Sequence, residues 1–257
     1  DIAASTIGGT LTLTSGHASG ITDSGTVTVG GNFTATTDAN SGVINLDSMA
    51  VDGTFTLSPH STGAVTVVND AGLDLAASTM GGTFSGTATT GDISDAGALA
   101  ITGAATFITG ATGSNIILDV ASNAFSNSVE MRADDGSEAF GNITFVDSAA
   151  VDFDSSASAN GDLFINASTD GAVGGNLIVT ATTGNITQNA ALTVTGTTTL
   201  TTSANDATIT LNNTSNAFTG AMTITTNDAS GTDADVTIDG GTTALNIGAS
   251  TIDGDLT

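Results

Sequence analysis

Thr87–Gly103, TATTGDISDAGALAITG, returns 93 residues later as Thr180–Gly196, TATTGNITQNAALTVTG. The match runs on without a gap in both directions: residues 81–131 align with residues 174–224, and 21 of the 51 positions are identical. Apolar positions meet apolar ones, Leu99 with Leu192, Ile101 with Val194, Phe107 with Leu200, Ile116 with Ile209 and Phe125 with Phe218. The turn Ser122-Asn123-Ala124-Phe125 returns as Ser215-Asn216-Ala217-Phe218. A fixed offset with matched apolar spacing marks a repeat architecture.

Other copies surround this pair. The opening phrase DIAASTIGGTLTL, residues 1–13, returns at residues 74–86 as DLAASTMGGTFSG. An interrupted version joins Ala167-Ser168-Thr169 to Gly174-Gly175-Asn176-Leu177, and a fourth begins at Ala249-Ser250-Thr251-Ile252. Long repeats therefore start near residues 1, 74, 164 and 246 of one continuous segment, 1–257. Their lengths are unequal, which suits a solenoid that absorbs insertions in its corners better than a row of independent beads. The chain opens at Asp1 and its repeats are cut at both ends, so we expect a fragment or a processed piece of something longer.

Within each repeat lie short alternating strands closed by glycine: Thr26-Val27-Thr28-Val29, Ala50-Val51, Ala98-Leu99-Ala100-Ile101 and Ala191-Leu192-Thr193-Val194. Asn142–Phe145, Leu163–Ile165, Thr208–Leu211, Met222–Ile224 and Val236–Ile238 follow the same pattern. Period-two alternation puts one side of each strand inward and the other in solvent. Asn69-Asp70-Ala71-Gly72 and Asn227–Gly231 read as turns. No 3.6-residue apolar period predicts a helix. Short strands and glycine corners predict an all-β chain, a right-handed parallel β-helix with ~20–28 residues per coil and roughly ten coils, on the order of 50 Å long. The alternative is a tandem row of immunoglobulin-like sandwiches, suggested by the ~90-residue spacing. The missing Trp and Tyr, a single Pro and the uneven repeat length count against it.

Composition narrows the function. Phe is the only aromatic residue, at 10, so the core must be thin. The mean hydropathy of +0.25 and the β-branched alternation are unlike a disordered chain. The formal net charge of −25 comes almost wholly from Asp, and Arg132 is the one Lys or Arg. Such a surface repels phosphates, which excludes nucleic acid and anionic membrane surfaces as partners. There is no Cys, hence no disulfide or thiolate site. No apolar run approaches the ~18 residues a membrane helix needs.

The Thr-rich strands and the Gly-Asn-Ile-Thr corners, Gly141–Thr144 and Gly184–Thr187, resemble the repeats of large bacterial surface proteins. These are the filamentous-haemagglutinin-like and autotransporter-like β-helical adhesins. The resemblance is one of repeat style across the whole chain. It implies export, cell-surface display and a shaft-like role, and it carries over no catalytic or binding residue.

Candidate chemistry is sparse. Asp134-Asp135 and Asp152/Asp154 are the carboxylate pairs a glycoside hydrolase would need, yet no Tyr or Trp platform accompanies them. Ser58, His60 and a nearby Asp make a triad only on paper. We expect no enzyme and no catalytic residue. His17 and His60 lie 43 residues apart without zinc spacing. Oxygen ligands abound, so calcium is the cation to consider. Asn227-Asp228 with Asp233, Asp235 and Asp239 is the best stretch, the last three sharing an outer face with Thr237 if Val236 and Ile238 point inward. A solvated acidic face is the plainer reading, with no bound cofactor. Thr-x-Thr runs (Thr12/Thr14, Thr26/Thr28, Thr208/Thr210, Thr223/Thr225) raise ice binding, against which their spacing is irregular. Glycosylation acceptors occur at Asn32, Asn142, Asn166, Asn185, Asn212 and Asn213.

The expectation is a structural segment of a long extracellular or cell-surface fibre. Its partners would be neighbouring repeats of the same parent chain or other copies stacked end to end, with divalent cations screening the acidic face. Ile2, Ile7 and Leu11 at one end, and Ile247, Ile252 and Leu256 at the other, would mediate the stacking. The alternative is an adhesin that holds a surface glycan or cation-bridged partner on a side face, with the insertion Glu130–Ala139, EMRADDGSEA, as its candidate.

Overall fold

The computed structural model describes residues 1–133, 141–154, 162–165, 172–227, 229 and 232–257. The described residues form 29 strands and no helix. They form a 13-stranded sheet, a 10-stranded sheet and two three-stranded sheets. Every pairing between these strands is parallel. The result is a β-solenoid of about 9 turns. Sandwiches would require antiparallel ladders, so that alternative falls. At ~4.8 Å per turn the stack is roughly 45 Å long.

The alternation read from the sequence is what builds the core. In Phe33–Thr37, Phe84–Ala88 and Thr198–Thr202, buried and half-exposed residues alternate along all five positions. In-register stacking turns these positions into rows. One row in the 10-stranded sheet runs Leu73, Ile93, Ile116, Ile143, Leu177, Thr198, Met222. Another in the 13-stranded sheet runs Ile44, Val65, Phe84, Ala105, Val129, Leu163. Phe rings fill the widest space: Phe84 to Phe107 at 5.1 Å, Phe107 to Phe125 at 6.1 Å and Phe125 to Phe145 at 5.2 Å between centroids. Gly86 faces inward on the same row as Phe107, and a Cβ there would lie 2.7 Å from the Phe84 ring. Its missing side chain makes room for that ring.

Two places depart from simple stacking. In Ile44–Val51 the register against Val65–Asn69 shifts between Leu46 and Met49. The Asp23 carboxylate holds the bulge, accepting from Asp47 N at 3.1 Å and Ser48 N at 2.9 Å. Farther on, the 13-stranded sheet takes Asp162–Ile165 before Val151–Asp154, reversing chain order once. Next to it the coil steps are the longest in the molecule's described part, 35 residues from Val151 to Ile186 and 34 from Ile143 to Leu177.

The aligned repeats do not occupy equivalent places. Phe84–Ala88 and Ala105–Thr109 lie in the 13-stranded sheet, whereas their counterparts Leu177–Ala181 and Thr198–Thr202 lie in the 10-stranded sheet. Ile93–Asp95 and Ile116–Leu118 make the opposite exchange with Ile186–Gln188 and Ile209–Leu211. Leu99–Ile101 and Ala124–Phe125 fall into one three-stranded sheet, and their counterparts Thr193–Val194 and Ala217–Phe218 into the other. Each copy keeps its coil order but changes its place around the axis.

The turn read at Asn69-Asp70-Ala71-Gly72 bends at Asp70 and Ala71, and Asn69 ends the strand Val65–Asn69 fully buried just before it. Its amide accepts from Val51 N at 2.9 Å and donates to Val51 O and Gly72 O, satisfying backbone groups that a corner would otherwise orphan. The predicted turn Asn227–Gly231 lies partly outside the described residues.

Candidate functional surfaces

Polar side chains are spent first on the backbone. Asn123 and Asn216, 93 residues apart, are both fully buried. Asn123 Oδ1 accepts from Leu99 N and Asn216 Oδ1 from Leu192 N, both at 2.9 Å, and these two leucines are themselves repeat equivalents. Asn123 Nδ2 donates to Asp95, while Asn216 bonds Gln188 twice, and Asp95 and Gln188 are again equivalents. The repeat therefore carries an internal amide clamp across neighbouring turns. Buried Thr37, Thr109 and Thr202 add a second device, each hydroxyl donating to the carbonyl five residues on, Gly42, Ser114 and Ala207.

Asp95 and Asp147 are the two carboxylates most deeply committed. Burial raises the Asp95 carboxyl above its ordinary value of 3.8; hydrogen bonds from Asn123, Asp119 N and Val120 N oppose the rise, and the Asp119 charge adds to it. Asp147 is raised by burial too, against N–H donors of Phe125, Ala149 and Ser148. They hold corners.

A ladder of side chains runs outside, along the residues that precede strands of the 10-stranded sheet. Asp92 Oδ1 accepts from Asn115 N at 2.7 Å, Asn115 Oδ1 from Asn142 N at 2.8 Å, Asn142 Oδ1 from Asn176 N at 2.8 Å, and Asn176 Oδ1 from Thr197 N at 2.8 Å. Asn32 and Asn185 make the same bond to Thr54 N and Thr208 N. Asn32, Asn142 and Asn185, which open Asn-x-Thr sequences, are thus rungs that join one turn to the next. Asn166 lies outside the described residues.

The other candidates are dispersed. His60 Nδ1 accepts from Ser41 N at 3.4 Å and its backbone N–H bonds Thr37, while Ser58 sits half-exposed at a strand end. His17 Nδ1 takes the Ser19 N–H within its own turn. Asp152 accepts from Thr187 and Asn189. Asp134, Asp135 and most of Glu130–Ala139 lie outside the described residues, as does Asp228. Val236 and Ile238 do point inward, with Asp233 and Asp235 exposed on the other side. Asp235 accepts from Asp255 N at 2.8 Å and Asp239 from Gly241 N at 2.7 Å. Among the described residues, no group of three His, Cys, Asp or Glu side chains is placed to hold a metal.

The sequence reading overlooked one surface. A cleft of about 310 Å³ is lined by Asp52, Asp74 and Asp92 with Gly53, Gly72 and Ser94. The three aspartates are 22 and 18 residues apart, close to one coil, and that periodicity was the available signal. Thr columns also stand in register, Thr12–Thr34–Thr56 beside Thr14–Thr36–Ser58, and end where Phe55 pairs with Leu75 on the next coil.

A family model described as repeats of unknown function (DUF5649) matches residues 1–59, 62–132 and 160–225, about three quarters of the chain. No curated protein and no solved structure matches it.

Proposed function

We propose a structural function for this chain, which belongs to the DUF5649 repeat family: it is a segment of a long extracellular or cell-surface fibre or stalk, used for spacing, display or filament formation. One observation carries the reading. Side chains that could do chemistry are spent on joining one turn to the next, as the Asp92–Asn115–Asn142–Asn176 ladder illustrates. A solenoid held by continuous ladders resists bending at every turn, which is what a spacer needs. The acidic face, at net charge −25, keeps such rods apart laterally. Catalysis has no part in this reading.

The second reading is an adhesin module whose side face holds a surface glycan or a cation-bridged partner; the Asp52–Asp74–Asp92 cleft supports it over the Asp233–Asp239 stretch. Electron microscopy of the native assembly, with and without a calcium chelator, decides between them. Continuous uniform fibres repeating this unit support the structural role. Isolated stalks tipped by a separate bulky domain favour the adhesin, and fibres that dissolve only in chelator make the aspartates a calcium site.

A further inference from the structure

One asparagine corner is built twice in this molecule, once between acids and once between neutral groups. Asn123 lies between Asp95 on the turn before and Asp147 on the turn after. Its repeat equivalent, Asn216, lies between Gln188 and Thr243. The bonds correspond. Asp95 accepts from Val120 N at 3.3 Å and from Asn123 Nδ2, with Asp119 N a further donor at 2.9 Å. Gln188 Oε1 accepts from Asn213 N at 3.1 Å and from Asn216 Nδ2 at 2.9 Å, and Asn213 is the equivalent of Val120. Asp147 Oδ1 accepts from Phe125 N at 3.2 Å, where the Thr243 hydroxyl accepts from Phe218 N at 2.9 Å. Beside them, Asn123 O takes Ser148 N and Asn216 O takes Thr242 N. The fold closes this corner with neutral groups in one copy, so its geometry does not call for the carboxylates of the other.

The two versions differ in what they donate. Gln188 Nε2 donates to Ala190 O at 2.6 Å and to Asn216 Oδ1 at 2.7 Å. The Thr243 hydroxyl has Phe218 O and Gly240 O as acceptors, both at 3.1 Å. A carboxylate only accepts, whereas a protonated carboxyl donates and accepts as an amide or a hydroxyl does. Charge adds to the difference. Both acids are buried, and Arg132, the one Arg in a chain without Lys, occupies an outer position of Val129–Ala133. The charged group beside Asp95 is Asp119, of like sign. Asp74, on the strand before, is turned outward under the Ser94 hydroxyl, and Asp152 and Asp154 take outer positions of Val151–Asp154. Ala181 faces Asp147 from the turn after. Burial raises both carboxyl values, so the closed corner holds a proton more readily than the open chain does.

We propose that the Asp95–Asn123–Asp147 corner is a proton-operated clasp across three turns: it is tight when the two carboxyls are protonated and loosens when they ionise, while the Gln188–Asn216–Thr243 corner is indifferent to pH. The contribution of the clasp is fully present below the ordinary value of 3.8 and is lost as pH rises through the folded values. One copy of the repeat thereby responds to acid, which a structural role alone does not require.

The test follows amide hydrogen exchange in the intact chain from pH ~7 to pH ~4, each amide expressed as protection over its free rate so that the pH dependence of the exchange chemistry cancels. Leu99, Val120 and Phe125 report on the first corner, and their equivalents Leu192, Asn213 and Phe218 on the second. The expected result is a ratio of first-corner to second-corner protection that rises about fivefold or more on acidification, in step with the carbon-13 titration of the Asp95 and Asp147 carboxyls. A ratio that stays flat overturns the inference, as do carboxyls that titrate at or below the ordinary value. Asp95→Asn together with Asp147→Asn makes the first corner as indifferent as the second, and a ratio that still rises overturns the assignment to these two acids. If that double variant does not fold, Gln188→Glu decides. It carries the response to the second corner, where protection at Leu192 and Asn213 falls as pH rises; protection there that ignores pH overturns the clasp.

Discussion

At the scale of single residues, burial of acid groups sets the response to pH. Asp95 and Asp147 have raised carboxyl values in the fold. Their contribution is therefore fully present below the ordinary value of 3.8 and is lost as pH rises through the folded value. Asp147→Asn removes this term. Relative to the parent chain the variant is at its best at neutral pH and loses ground as the solution is acidified toward pH ~4, which paired thermal melts will show; a difference independent of pH would contradict the burial argument. Thr198 makes the opposite point. It sits 1 % exposed in an apolar row, and its hydroxyl finds no partner among the described residues. Thr198→Val keeps the shape, removes the stranded hydroxyl and should stabilise the chain by about 1 kcal/mol in chemical unfolding.

At the scale of elements, the amide clamps decide how neighbouring turns hold together. Asn216→Ala strands Leu192 N and both Gln188 bonds, a loss of about 2–3 kcal/mol. Hydrogen exchange will speed at Leu192 far more than at Leu99, whose own clamp through Asn123 is intact; equal acceleration at both would show global unfolding instead. Corner glycines behave likewise. A Cβ on Gly196 would strike the Gly175 carbonyl, so Gly196→Ala costs about 1–3 kcal/mol. The strands and their repeats were legible because period-two alternation and the 93-residue offset are local signals. The clamps were not. Asn123 and Asn216 carry the residue type of a turn, and nothing along the chain separates an asparagine that turns in solvent from one that seals a corner. Nor was the exchange of sheets legible, since it depends on how many residues each coil step consumes, up to 35 between Val151 and Ile186. The calcium stretch and the cleft differ in the same way: Asp233, Asp235 and Asp239 are neighbours in sequence, whereas Asp52, Asp74 and Asp92 become neighbours only through stacking.

At the scale of the whole molecule, charge is the main adversary of the stack. A net charge of −25 on roughly nine turns repels itself, and salt relieves it. Raising monovalent salt from about 10 mM to about 150 mM shortens the screening length from ~30 Å to ~8 Å and should raise the melting temperature by several degrees. Calcium at matched ionic strength should add nothing further if the aspartates are a solvated face; an extra rise, lost on replacing Asp74 with Asn, would reveal a specific site in the cleft. The exchange of sheets between repeats has its own outcome at this scale. Ser94 and its counterpart Thr187 look out from different long sheets, as do Thr106 and Thr199. A feature inherited by both copies is thus displayed at two compass bearings, like treads of a spiral stair. On the structural reading proposed above, a fibre built in this way would carry such a feature on more than one side.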